Sequence, residues 1–442
     1  MTEEGAPRTW RSSAGAWLGI GTAPGTLVLG AQIGGRHDGA LPLVVLLAGG
    51  AVMAAMLAAQ GRHGLRPPAG ENATLAELSP RYLPPATDRA VTGLLALAMI
   101  GWFGFNVGLG GGAVAALTGA PDIAGVLVLS LPIVGVLVAG SGRWNVLALV
   151  TTIIAIALIA VVAVRLAPSS PPVTLARDGP PLGLAADLAG YIGYASVFAV
   201  RAPDFTAGLR DRRDLWWCVG LLVLPALAAT VVGAGLAASS GSADVVAVLA
   251  GPDGLPVANL FVAASVIAPT LAAVHSGVFA VRRFAPRLPN AGAVLVLAVP
   301  GAVLACLRVD RLLLSWLTIL AAVLPALIPP IAAEALRRRR ARRTAPAADR
   351  ADPATDRANP GANRASPDAE RASPDADRAG PETEPSGQAG RYVRTWLWAP
   401  GAALALALTL AGVPAAAPAG LAVSLLATLT HRVVTQRWRI RP

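Results

Sequence analysis

Few residues in this chain can do chemistry, and most of them sit inside apolar runs. Of the four histidines, His37, His63, His275 and His431, only His275 lies well within such a run. An ionisable side chain there is a functional group by default, because burying its charge is costly. Two roles fit His275. It can carry a proton, with an ordinary pKa of about 6.5, or it can stay neutral and bond a backbone carbonyl. Trp102 and, one turn later, Asn106 share another run; the amide suits a hydrogen bond to a small molecule or to a neighbouring helix. Asp204 is expected at a helix end, paired with Arg210 or Arg213 or gating access, and Glu334 is expected to pair with Arg337, Arg338, Arg339 or Arg340. HExxH, GxSxG in a strand–turn–helix setting, Walker A and CxxC patterns are absent, so neither an enzyme nor a cofactor is expected. Cys218 and Cys306 are far apart and suit packing. Gly110, Gly111 and Gly112 lie inside an apolar run, where they suit close helix contact better than phosphate binding.

Backbone can also be a ligand. Gly19-Ile20-Gly21-Thr22-Ala23-Pro24-Gly25 sits in the first apolar run. Glycine and proline together weaken a helix, and a broken helix exposes groups that bind ions or substrates. A proline kink with close packing is the other reading. A second run, residues 193–206, mixes small and aromatic residues before Asp204.

The elements that position these groups follow from composition. The chain has 442 residues, of which 55% are hydrophobic and only 14% charged. That is too little polar surface for a soluble domain of this size. Apolar runs long enough to cross a bilayer, about 20 residues, recur at 14–34, 40–60, 90–118, 123–140, 144–166, 184–200, 215–238, 257–281, 292–307, 312–336, 396–412 and 417–432. An amphipathic piece is expected at 73–82. The expected fold class is an all-α polytopic membrane protein of about twelve transmembrane helices.

Charge supports this topology. All 36 basic residues are arginine, and the net charge is +11. With the N-terminus inside, the outer loops hold only Arg36, Arg165, Arg177, Arg308 and Arg311; the other 31 face the cytoplasm. The arginines lie between apolar runs rather than in one patch, so nucleic acid is not an expected partner. The division that follows is a cytoplasmic N-terminus at 1–13, a ten-helix core at 14–336, a cytoplasmic linker at 337–394, two accessory helices at 395–432 and a cytoplasmic tail at 433–442. The linker repeats a seven-residue unit, DRADPAT, DRANPGA, NRASPDA, ERASPDA, DRAGPET, across 349–383. Each unit has a proline and no apolar seam, which excludes a coiled coil and predicts disorder. The basic cluster at 337–340 is placed to touch anionic lipid.

Four segments resemble the purine–cytosine permease, or nucleobase–cation symporter-1, family. They are Gly101-Trp102-Phe103-Gly104, the string GYASVFAVRAPDFT at 193–206, Ser265-Val266-Ile267-Ala268 with His275-Ser276, and Trp316-Leu317-Thr318-Ile319-Leu320 followed by Pro325 and Glu334. Their order and spacing agree with the family over roughly residues 14–336. The resemblance implies a leucine-transporter-like fold: two inverted five-helix repeats, two accessory helices and alternating access. It implies cation-coupled import of a small planar heterocycle, such as a nucleobase, hydantoin or allantoin, with a proton or sodium as coupling ion. Trp102 would stack on the substrate, Phe198 would lie at its opposite face, and the first helix near Gly21, Thr22 and Pro24 would offer carbonyls. Tyr194, Ser196, Asn106 and Thr270 complete the implied substrate set, with His275 and Asp204 as coupling or gating groups. Three positions depart from the family pattern: Met99 stands in place of a glutamine, Ala207 in place of an arginine, and Pro269-Thr270-Leu271-Ala272-Ala273 occupies a stretch usually rich in asparagine.

The expectation is a multi-pass plasma-membrane permease with both termini cytoplasmic, whose partners are a small-molecule substrate and the lipid bilayer. No metal site and no oligomeric state is implied. The alternatives are an amino-acid or amine transporter on the same fold, and a transporter-derived sensor that signals through the linker.

Overall fold

The structure, a computed structural model, describes residues 8–139, 144–165, 170–175, 181–251, 255–344 and 392–439. The seven-residue repeats expected at 349–383 lie outside the described residues.

The first apolar run forms two helices, α1 (Trp10–Gly21) and α2 (Pro24–Gly35). Pro24 has no N–H, so the carbonyl of Ile20 loses its helical donor, and Ala23 takes an extended ψ of 142°. The chain breaks where glycine and proline cluster. Then follow α3 (Leu43–Gly61), the amphipathic α4 (Leu75–Tyr82), α5 (Pro85–Thr118), α6 (Asp122–Ala139), α7 (Trp144–Arg165) and α8 (Pro181–Thr206). A short parallel pair joins β1 (Leu41–Pro42) to β2 (Val173–Thr174). The second half holds α9 (Arg212–Ser240), a six-residue α10 (Val245–Ala250), α11 (Ala258–Ser265), α12 (Ile267–Phe284), α13 (Asn290–Cys306) and α14 (Leu313–Thr344). Two more, α15 (Ala399–Leu410) and α16 (Ala416–Arg439), close the chain.

Among the described residues, eight helices are individually long and apolar enough to cross a membrane. Helix α7 is 22 residues long and apolar, Asn290–Cys306 and Ala399–Leu410 are apolar but shorter, and the first run is split in two. The chain is a multi-pass membrane protein.

Three elements differ from the sequence reading. The run at 257–281 bends at Val266 between α11 and α12, because Pro269 cannot donate to the carbonyl of Ser265. The sixth run does not end at 200: α8 continues through Pro203 to Thr206. The tenth does not end at 336. Glu334 pairs with Arg337 at 2.6 Å and with Arg338 at 2.9 Å, and these i+3 and i+4 contacts carry α14 through the basic cluster to Thr344. The expected pairing of Glu334 is thereby met.

Packing follows an exchange rule. α2 lies along α9, and α8 lies along α3. Swapping the first run with the sixth and the second with the seventh maps one pair onto the other, as two five-span repeats require. Where α2 meets α9 the backbones touch: a Cβ on Gly30 would fall 2.0 Å from the Thr230 carbonyl, and one on Gly233 would fall 2.0 Å from that of Leu27. Small residues allow this approach in a bundle that gains little from hydrophobic burial against lipid. The Gly110–112 run acts likewise. A Cβ on Gly111 would meet Val126 N at 2.7 Å, and one on Gly112 the Arg308 guanidinium at 2.8 Å. Arg308 is held by Asp122 and Asp310, with Nη1 2.5 Å from Asp122 and Nη2 2.9 Å from Asp310. Its hydrogen bonds to Asp310 outweigh burial and raise its pKa.

Candidate functional site

The GWFG segment lies mid-way along α5, and its two glycines explain its position. A Cβ on Gly101 would strike the Trp316 ring of α14 at 2.1 Å, and one on Gly104 would meet Leu304 of α13 at 2.8 Å. With α5 pressed against both helices, Trp102 turns to the opposite side, toward α8. There it meets Tyr194 at a ring-centroid distance of 5.7 Å and Phe198 at 5.5 Å, while Phe105 of its own helix closes the group at 5.6 Å. Tyr194 and Phe198 also touch, at 5.5 Å. All four rings are buried.

This aromatic group abuts the break between α1 and α2. The Tyr194 hydroxyl donates to the Ile20 carbonyl at 2.9 Å, the acceptor that Pro24 leaves without its helical partner. A Cβ on Gly25 would meet Phe105 at 3.1 Å and Tyr194 at 3.7 Å. The sixth run is therefore tied to the first at the break, and an aromatic wall is built against it. Tyr194→Phe should lower the thermal stability of detergent-purified protein by about 0.5–1.5 kcal/mol, the usual net worth of one buried hydrogen bond. An unchanged midpoint would show that the broken helix does not depend on that hydroxyl.

Trp102 and Phe198 meet at an interplanar angle of 43°. A flat ring between them needs roughly 7 Å, two contacts of about 3.5 Å each. The two rings instead touch each other, so a ligand held between them must first spread them. The Trp102 indole N–H is buried and has no acceptor, which leaves a donor at the centre of the group. Asn106, one turn along the same face of α5, is buried and makes no side-chain hydrogen bond among the described residues.

The remaining expected site residues are placed differently. The hydroxyls of Thr22, Ser196 and Thr270 each bond a carbonyl of their own helix, Leu18 at 2.9 Å, Gly193 at 2.8 Å and Val266 at 2.6 Å. Gly21 is a packing contact: a Cβ there would lie 2.4 Å from the Leu222 carbonyl. His275 is on the exposed face of α12, edge-on to Phe279 at 5.1 Å, rather than in the aromatic group. Asp204 does not pair with Arg210 or Arg213. Its carboxylate accepts the Leu75 N–H at 2.7 Å, and Arg210 goes to Asp211 and Asp214. The reason is local: Pro203 and Asp204 stay helical, and the N-terminus of α4 docks on the end of α8, where its free N–H groups need acceptors. Among the described residues no group of three His, Cys, Asp or Glu side chains gathers as a metal site.

Two residues were missed, Phe105 of the aromatic group and Arg201 beside it. Arg201, on α8 three residues after Phe198, is 2% exposed. Its guanidinium reaches Met99 Sδ at 3.1 Å, the Ala272 carbonyl at 3.0 Å and the Ser276 hydroxyl, and it lies over the Phe205 ring at 5.3 Å. In the sequence it reads as one more arginine on the basic side of the protein; only helix rotation turns it inward.

No family model matches the sequence, and no curated protein does. Solved structures do. Mhp1, a nucleobase-cation-symport-1 family transporter, in a closed conformation with bromovinylhydantoin bound, aligns at a TM-score of 0.63 and 17% identity, over 99% of this chain and 96% of its own. The inward-facing conformation of Mhp1 aligns at 0.65 and 15%, over 99% and 94%. The chain has the fold of Mhp1. A manganese transporter of Eremococcus coleocola aligns more loosely, at 0.50 and 14% over 76% of this chain and 81% of its own. These neighbours are transporters, not enzymes. The all-α, leucine-transporter-like fold class expected from the sequence is the one found.

Proposed function

We propose that this protein is a secondary transporter that imports a small planar heterocycle, a nucleobase or a related ring such as a hydantoin, by symport with a proton or sodium across the plasma membrane, with both termini cytoplasmic. One observation carries the reading: Trp102, Tyr194, Phe198 and Phe105 form an aromatic wall against a broken membrane helix, with an unpartnered indole N–H inside it. Flat aromatic faces recognise flat rings, and a buried donor without an acceptor favours a ligand that supplies one. The fold shared with Mhp1 supports the transport mode, and Mhp1 in its closed conformation holds a hydantoin, bromovinylhydantoin. Opening the site means separating α5 from α8, the two helices that carry the wall.

The test is uptake into proteoliposomes of radiolabelled uracil, hypoxanthine, hydantoin and allantoin, under an inward proton or sodium gradient. At least one ring should accumulate, and an ionophore that collapses the driving gradient should stop it. His275 is the histidine of α12, so under a proton gradient His275→Gln should keep binding and lose uphill accumulation. Accumulation of none of the four rings, with aliphatic amino acids or amines accumulating instead, would overturn the heterocycle reading.

A further inference from the structure

The aromatic wall has a charged floor. Along α8, Tyr194, Phe198 and Arg201 follow one another on a single face; along α5, Trp102 meets both Tyr194 and Phe198, and Met99, one turn before it, meets Arg201. Arg201 thus lies about one helical turn, about 5 Å, beyond the rings. A guanidinium stays charged and offers five N–H donors in a planar fork. Here its acceptors are a thioether, one carbonyl and one hydroxyl, all of them neutral. Its Nε is buried with no acceptor at all. No carboxylate among the described residues lies within ion-pair distance of it. Asp204, the acid next along α8, accepts the Leu75 N–H. Asp204 acts on the Arg201 charge through space but makes no ion-pair contact with it, and a buried cation without an ion-pair partner is costly unless something of opposite charge comes into contact with it.

We infer that Arg201, with the Ser276 hydroxyl beside it, receives a carboxylate carried by the substrate, so that the preferred cargo is an acidic planar heterocycle, with its ring on the aromatic wall and its anion on the guanidinium. This rests on the heterocycle reading for the ring but not for the anion. Carboxylate is the fitting class because a guanidinium takes its two oxygens in a paired, planar contact. The positive charge also bears on the departures from the family pattern. Where Met99 and Pro269-Thr270-Leu271-Ala272-Ala273 stand in place of amide side chains, one ionic contact supplies polar recognition that hydrogen bonds would otherwise give.

The experiment compares matched probes on full-length, detergent-purified protein by thermal shift and equilibrium binding. The probes are uracil, its 6-carboxylate orotate, lactate as a non-aromatic carboxylate, and chloride. Wild type should bind orotate at least tenfold more tightly than uracil. Arg201→Gln should erase that preference and leave uracil affinity within about threefold, and Arg201→Lys should retain part of it. If lactate binds in an Arg201-dependent way while neither ring binds, the anion site stands and the heterocycle reading falls. If the rings bind but orotate gains nothing over uracil in wild type, the anion inference falls and the heterocycle reading stands. The inference also falls if no carboxylate binds, or if chloride shifts the protein as much as orotate does. Because the wild-type comparison needs no variant, poor folding of Arg201→Gln does not rescue it.

Discussion

Trp102→Ala should abolish uptake and weaken binding of any planar ligand at least tenfold. Trp102 is the hub of the aromatic wall: Phe105, Tyr194 and Phe198 all touch it, and they share no other common neighbour in the group. Cutting it to alanine removes the stacking face and the unpartnered indole donor together, and leaves a cavity between α5 and α8. Truncation of a buried tryptophan typically costs about 3–5 kcal/mol of stability, so binding is to be measured on the fraction that stays folded. Trp102→Phe keeps an aromatic face and loses only the donor, so it should retain most of the affinity for rings. If Trp102→Ala binds and transports as wild type does, the tryptophan is a packing residue and the wall is not the site.

Glu71→Gln should destabilise the protein by about 1.5–3 kcal/mol near neutral pH, the range for buried hydrogen bonds to a charged group. Glu71 belongs to the segment between α3 and α4. Its carboxylate accepts from the Tyr82 hydroxyl and faces His63 Nδ1 at 3.4 Å, with side-chain exposures of only 1% for His63 and 8% for Glu71. Arg338 of α14 lies over the Tyr82 ring at 4.2 Å and donates to the Arg81 carbonyl at 3.0 Å, while Arg339 reaches the Arg62 carbonyl at 2.9 Å. The end of α14 thus packs on Tyr82, whose hydroxyl the Glu71 carboxylate holds. Burial alone would raise its pKa. The hydrogen bonds from His63 and Tyr82, with the charges of His63 and Arg338, outweigh burial and bring it down to about 2. The same carboxylate, together with burial, pushes the Tyr82 phenol up.

An acid whose pKa is lowered by folding stabilises the folded state above its unfolded pKa, about 4.3 for glutamate, and loses that contribution as pH falls from there toward 2. Melting midpoints taken from pH 7 down to pH 3 should therefore drop more steeply below about 4.3 in wild type than in Glu71→Gln. Parallel curves for the two proteins would remove Glu71 from the account of acid stability.

Much of the fold was legible in the residues alone. Each long apolar run became one or two helices, since in lipid every backbone group must bond within its own segment and a helix does so automatically. A weak point at Pro24 was legible too, because proline removes a donor whatever surrounds it; that it is a break rather than a kink was decided by the structure. So was the contact between Glu334 and its arginines, which needs only i+3 and i+4 spacing. Three of the four aromatic residues of the wall were named from the sequence, Trp102 in GWFG and Tyr194 and Phe198 in the run before Asp204; Phe105 was not.

Rotation was not legible. A soluble helix betrays its buried face by periodic polarity, but a membrane helix is apolar toward its neighbours and toward lipid alike, so the period fades. Only packing decided that Arg201 points inward while His275 lies exposed, or that the hydroxyls of Ser196 and Thr270 close on their own helices. Partners distant in sequence were equally hidden. Asp204 bonds Leu75, 129 positions away, and Tyr194 bonds Ile20 across 174. The sequence by itself determined where helices start, stop and weaken, because those are local properties of donors, acceptors and apolar length. Tertiary structure alone decided which side chains converge, because a side chain's direction is set by the glycines and bulky residues of the helices packed against it.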